Sequence, residues 1–347
     1  MSELTFLRYL RYLRNIFLYI FPAFIFLNSE AQQVPMYSQY IMNGFLINPS
    51  LAGHDGYTTV NLTVREQWVG MEGSPNTYAA SFQTRLLKDS FVPRSPSINP
   101  LSIRLRTPSA SKLGKVGLGG YVFNDNNGIM RRTGIQAAYS YHIAMGQTDG
   151  LPNNLAFGLA FTAYQYAINT DGLIFSYDDD PYLNSYSKSV FIPDFNFGTS
   201  YTTARYYLGF AMTNLFRGSL LFASNTGNKR VEQGNFYLTG GVKFQLARNW
   251  ALEPSAFFKT TDMLLKAYQI NLSTRIRYKD DYWVGLSLRT NDALILMTGL
   301  RYDKFYFAYS FDYTLTDIRK QSFGTHELTL AVKFGENPRR HLWINAY

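Results

Sequence analysis

His54, His142, His326 and His341 are the only histidines in this 347-residue chain, and it contains no cysteine. Imidazole acid–base chemistry has four candidates, and thiol chemistry is excluded. A Ser–His hydrolase needs the two side chains within hydrogen-bond reach and a third group to orient the imidazole. His326 with nearby Ser322 is the one candidate. Its neighbour Glu327 cannot be the orienter, because consecutive residues of an extended strand point to opposite faces. The simpler reading is a rim histidine at a lipid interface, so no enzymatic activity is expected.

Two oxygen-rich runs raise metal binding: Asp178-Asp179-Asp180 and "NDNNG" at Asn124–Gly128. Neither has the spaced ligands and closing Glu of a calcium loop. The second reads as a hairpin turn, since Asn, Asp and Gly tolerate positive φ. Loop binding of calcium stays open for the first, but no cofactor is required. A further set is Arg65, Arg85, Arg275, Arg277 and Arg289. They could form an anion-selective ladder inside a pore. Equally, they could pair with acids such as Asp312 and Glu327 and brace a plugged lumen. Pairing is favoured, because a charge stranded in a wall is costly unless paired or hydrated. Arg275, Arg277, Arg289 and Asp312 are therefore expected to face a lumen.

A lumen requires strands that separate two environments. "KFYFAYSFDYT" (304–314) puts Phe305, Phe307, Tyr309, Phe311 and Tyr313 on one face and Tyr306, Ala308, Ser310, Asp312 and Thr314 on the other. "KAYQINLSTRIRY" (266–278) alternates likewise, as do 205–213, 325–334 and 60–65. Charged residues make up 16% and aromatics 17% of the chain, whereas a soluble domain carries about 25% charge. Long aromatic-ended apolar rows opposite Arg, Gln, Asn and small residues fit an outer-membrane barrel, with lipid outside and a wet or plugged interior.

The chain begins with Arg8, Arg11 and Arg14, then a twelve-residue apolar run, Ile16 to Leu27, and small residues at Ser29 and Ala31. This reads as a signal peptide cleaved near Ala31, because a spanning helix needs roughly 20 apolar residues. No later run is long enough to span, so membrane residence requires a closed barrel. The net charge of +9 comes without a long basic run, so no nucleic-acid partner is expected.

The fold expected is all-β: a transmembrane outer-membrane β-barrel of about 14 antiparallel strands with a short N-terminal lead-in. The expected division is signal peptide 1–31, lead-in or plug 32–56, barrel 57–335 and tail 336–347. Tight turns "TTAR" (202–205), "ARN" (247–249), "KDD" (279–281) and "YDK" (302–304) alternate with longer loops at 170–189, 217–233 and 315–324. The Pro/Ser-rich segment 89–113 falls by parity on the tight-turn rim. The lead-in, "QQVPMYSQYIMNGFLINPSLAGHDG", carries no charge before His54, and its Asn-Pro and Ala-Gly steps favour turns. It is expected to dock as a plug or to contact a partner.

"YSQY" (37–40), "INPSLAG" (47–53), "REQWVGMEGSPNTY" (65–78), "KVGLGGYVFNDNNG" (115–128) and the C-terminal "YSFDYTL" and "GTHEL" (309–315, 324–328) resemble, in that order, the PorP/SprF family. Ser50-Leu51 departs from the more usual Ala-Tyr. The resemblance implies a component of the type IX secretion and gliding machinery in the outer membrane of Bacteroidota. It implies help in export or surface attachment of secreted cargo bearing a C-terminal sorting domain, and contact with periplasmic ring lipoproteins of the machine. The motifs nominate Tyr37, Gln39, Tyr40, Asn48, Pro49, Gly53, Arg65, Trp68 and Gly70 as plug or partner-binding residues. The alternative function is an outer-membrane pore or transporter for small solutes.

Overall fold

The computed structural model describes residues 37–87, 113–128, 130–149, 151–168, 189–216, 219–220, 230–231, 234–261 and 267–334. The expected signal peptide, the 89–113 segment apart from its last residue, the Asp178–Asp180 run and the tail from 336 lie outside the described residues.

Period-two alternation is realised in the strands of the described residues. The strands are β1 (Thr58–Glu66), β2 (Asn76–Leu87), β3 (Leu113–Asn127), β4 (Met130–Thr148), β5 (Leu151–Ile168), β6 (Ser189–Thr202) and β7 (Tyr206–Thr213). β8 runs Asn235–Val242 and resumes past Lys243 as Phe244–Ala247. Then follow β9 (Trp250–Thr260), β10 (Tyr268–Tyr278), β11 (Tyr282–Arg289), β12 (Ala293–Tyr302), β13 (Phe305–Thr314) and β14 (Thr325–Phe334). The sheet holds 15 hydrogen-bonded stretches; with the two pieces of β8 taken as one wall strand, that makes a closed barrel of 14. Each strand pairs antiparallel with its sequence neighbour, and β1 closes on β14 from Thr58↔Phe334 to Glu66↔His326. A small hairpin, Ser219–Leu220 with Arg230–Val231, stands apart from the wall.

β13 shows why the wall is stable in lipid. Phe305, Phe307, Tyr309 and Tyr313 are 40–50% exposed, whereas Ala308, Ser310 and Asp312 are at most 2% exposed. Val60, Leu62, Ile135, Leu159, Leu208, Leu286 and Leu296 continue the outward apolar belt. A ten-residue strand is about 33 Å long and covers about 25 Å at barrel tilt, the height of an outer-membrane apolar band. Closure leaves no open sheet edge in the hydrocarbon, where unsatisfied backbone groups would cost several kcal/mol each.

Among the described residues, the connections at the rim where β1 begins and β14 ends are tight turns. Asp149, Lys279, Asp280 and Asp303 there adopt φ of 52–58°. The other rim carries longer connections, among them 67–75, 261–267 and 315–324 with a 3-10 turn at Asp317–Lys320. The "NDNNG" expectation is corrected in part. β3 continues through Asn127, paired with Met130, so the turn starts only at Gly128, φ 60°. The polar side chains make that extension tenable: Thr77 donates to Asp125 at 2.7 Å and Asn126 to Asn76 at 3.0 Å.

Candidate functional site

The lead-in lies inside the barrel and touches most of its wall. Its shape follows from its own residues. Turns at 38–42 precede a 3-10 helix at Gly44–Leu46. Asn48 is extended, as a residue before proline must be, and its side chain accepts from the Ser50 N–H at 3.0 Å. Pro49 then opens a second 3-10 helix, Pro49–Leu51, at the position where its missing N–H costs nothing. Gly53, at φ 63°, turns the chain down toward β1.

One side of this segment lies on bare backbone. Gly117 of β3, Gly158 of β5 and Gly198 of β6 face inward on their strands. A Cβ at Gly117 would overlap the Ala52 carbonyl, at Gly158 the Pro49–Ser50 peptide, and at Gly198 the Asn48 amide. At Gly119 it would strike the Phe45 ring, which packs among Ala52, Ala138 and Ala160 with Tyr121 edge-on. Polar contacts finish this floor. Asn48 donates to the Thr199 and Phe210 carbonyls, Ser50 Oγ to Ser200 Oγ at 2.9 Å, and Ser140 Oγ to the Ala52 carbonyl at 2.6 Å. Asn154 donates to Nδ1 of both His142 and His54, and His142 Nε2 lies 3.0 Å from the Ala52 carbonyl. Burial, with Arg85 and Lys333 nearby, pushes the His54 imidazole down to about 3, so it is neutral here.

The opposite side is a clasp of charges toward the long-loop rim. The two carboxylate oxygens of Glu327 accept the successive N–H groups of Ser38 and Gln39 at 2.7 and 2.8 Å. Arg65 bridges Glu327 and Asp312, each at 3.0 Å. Arg289 reaches Asp312 at 3.2 Å and Asp292 at 3.0 Å. At the centre, Ser38 Oγ donates to Asp312 at 2.6 Å and accepts from Arg65 and Arg289 at 2.7 and 2.9 Å. Those three bonds use its full capacity. Tyr40 then packs on Phe257 with ring centroids 4.8 Å apart. At the tight-turn rim, Lys333 closes on Asp55 at 2.6 Å. The segment thus crosses the lumen with an ionic anchor near each end.

Of the sequence candidates, Gln39, Tyr40, Asn48, Pro49 and Gly53 are buried inside the barrel and Tyr37 is half-buried there. Arg65, Arg289 and Asp312 meet in the clasp. Arg275 and Arg277 face inward elsewhere, both on Glu253 at 2.8 and 2.9 Å, with Arg275 over the Trp283 ring. Trp68 and Gly70 do not join the plug. They sit in the β1–β2 loop, where the Trp68 N–H donates to Thr325 Oγ1 and Val69 exchanges backbone bonds with Phe323 and Gly324. Sequence adjacency grouped them with Arg65, but the chain leaves the wall after Glu66. His326 points outward and bonds the Tyr309 hydroxyl at 2.7 Å, while Glu327 faces in. Among the described residues no cluster of His, Asp and Glu could hold a metal ion.

Sequence reasoning missed Ser38, Ser140 and the inward glycines. The glycines had a signal: in "KVGLGGY" and "AFGLAF" a Gly stands on the inner row between large outward residues, and in "FNFGTSY" between Phe197 and Thr199, a mark of close backbone approach.

The chain matches the family described as type IX secretion system membrane protein PorP/SprF over residues 29–332. No curated protein matches it. Among solved structures, a Pseudomonas aeruginosa FadL homologue aligns over 88% of this chain and 96% of its own, at 11% identity and TM-score 0.41. CdiB from Acinetobacter baumannii aligns over 80% and 60%, at 8% identity and TM-score 0.35. A mutant Rh. blastica porin aligns over 80% and 99%, at 7% identity and TM-score 0.31.

Proposed function

Because the chain belongs to the PorP/SprF family of type IX secretion system membrane proteins, we propose that this outer-membrane barrel works as a closed, non-enzymatic scaffold. It assists export or surface attachment of secreted proteins bearing a C-terminal sorting domain and contacts periplasmic components of the machine. The observation that carries this reading is the lumen. The chain's own residues 37–57 fill it, seated on inward glycines and tied by Glu327, Arg65 and Asp312. A barrel stopped in this way suits anchoring and presentation better than solute flux. Arg65, Arg275, Arg277 and Arg289 are bound to carboxylates, which argues against an anion ladder.

Deleting residues 32–56 tests the plug's part in the mechanism. The truncated barrel is expected to insert but to lose both partner recovery and export of a sorting-domain reporter. Normal export by the truncated barrel would remove the segment from the mechanism. In planar bilayers the intact chain is expected to be closed. A stable open pore altered by Arg275→Ala and Arg277→Ala would instead favour solute transport.

A further inference from the structure

One stretch of wall differs from all of this. Pro254 of β9 has no N–H to offer β8, and beside it, at Lys243, β8 breaks. Pairing between β7 and β8 ends at Tyr206↔Val242, and the last bond across is Lys243 N–H to the Arg205 carbonyl at 2.7 Å. Past it, Phe244–Ala247 pairs with β9 alone, and the sheet order ends there among the described residues. All four residues are exposed on both faces, as Ala144–Gln147 are at the end of β4, whereas within the apolar belt one row of each strand is covered. Since the Lys243 N–H points toward β7, the Gln245 N–H two residues on points to the same, unoccupied side. The Gln245 side chain caps the Ala247 carbonyl at 2.7 Å.

We propose that Phe244–Ala247 is a docking edge for an extended acidic segment of a periplasmic partner, which adds to the sheet as one more strand; this rests on the secretion-component reading above. Main-chain pairing supplies the affinity and Phe244 and Leu246 supply alternate side-chain contacts. The surroundings choose the partner's charge. Arg248 and Lys279 on the adjoining turns are exposed, while Arg205 and Lys243 are held by Asp149 and Asp280. A second copy of this chain would bring these cations together, so edge-to-edge self-pairing is disfavoured. The tight-turn rim to which the edge belongs is the periplasmic one in outer-membrane barrels.

The test uses the full chain in nanodiscs and a fluorescent peptide of alternating Val and Glu, read by anisotropy, with a Val/Lys peptide as comparison. The acidic peptide should bind, and more weakly at high salt. Gln245→Ala should retain binding. Gln245→Pro, which removes the free-side donor but spares pairing with β9, should weaken it about tenfold. Equal binding by Gln245→Pro, equal binding of the basic peptide, or self-association of the chain with no peptide bound would each overturn the proposal. Reporter export in cells separates the two readings. If removing the chain leaves export intact, the secretion reading fails. If its removal blocks export while Gln245→Pro exports normally and binds the acidic peptide as the unaltered chain does, only the docking edge fails.

Discussion

The two sides of the lumen hold one segment by opposite means. On β3, β5 and β6 the glycines 117, 119, 158 and 198 let the plug lie directly on strand backbone, with Ser140, Asn154 and Ser200 bonding it at the margins. On β1, β11, β13 and β14 the wall contributes Arg65, Arg289, Asp312 and Glu327. A steric floor specifies depth, because a misplaced plug meets backbone that cannot move. A charged clasp specifies which end of the segment comes first, because only successive N–H groups at Ser38 and Gln39 satisfy both oxygens of Glu327. Buried charges are a poor source of net stability but a strong penalty against wrong partners.

The largest break in this comparison should come from Arg65→Ala. It leaves Asp312 and Glu327 without their bridging cation, and urea unfolding in lipid should show a loss of about 3–5 kcal/mol. A loss under about 1 kcal/mol would mean that the clasp is solvated and orients little. Gly158→Ala comes next, at about 1–3 kcal/mol of overpacking against the Pro49–Ser50 peptide. Its signature is different: the chain lacks cysteine, so maleimide labelling of Met42→Cys should accelerate when the plug rides up. Unchanged labelling would show that the floor yields.

A smaller effect is expected from pH. The His54 imidazole is held near 3 in the folded lumen, against an ordinary value of 6.5. The unseated chain therefore binds the proton more readily between those values, and stability falls as pH drops through that window. From pH 7.5 to 5.5 the loss in the same urea unfolding should be about 1 kcal/mol, and it should shrink in His54→Gln. Least of all, Trp68→Ala should leave plug labelling and bilayer closure unchanged, since Trp68 meets the β14 end of the rim and not the lumen. Faster labelling in that variant would tie the loop rim to the plug.

The strands were readable because each carries its own evidence. In 304–314 or 266–278 every second residue repeats the same choice between lipid and interior, and a one-residue slip would reverse it everywhere. The motif at 65–78 was less instructive: Arg65 and Trp68 stand three residues apart, yet one enters the clasp and the other the rim. Arg275 and Arg289 looked equivalent on their polar faces, but the first meets Glu253 and the second Asp312. Which acid an inward arginine meets depends on strands far away in sequence.

Alternation, tight turns and the scarcity of charge were enough to determine a lipid-facing barrel and its number of walls, because lipid and backbone hydrogen bonding act on each strand locally. Where the uncharged lead-in rests was decided only on closure. Its contacts come from inner rows of strands spread over the whole chain, and glycines 117, 158 and 198 become one surface only when those strands stand side by side. The same holds for the free edge at Phe244–Ala247, which exists because β7 stops short of its neighbour.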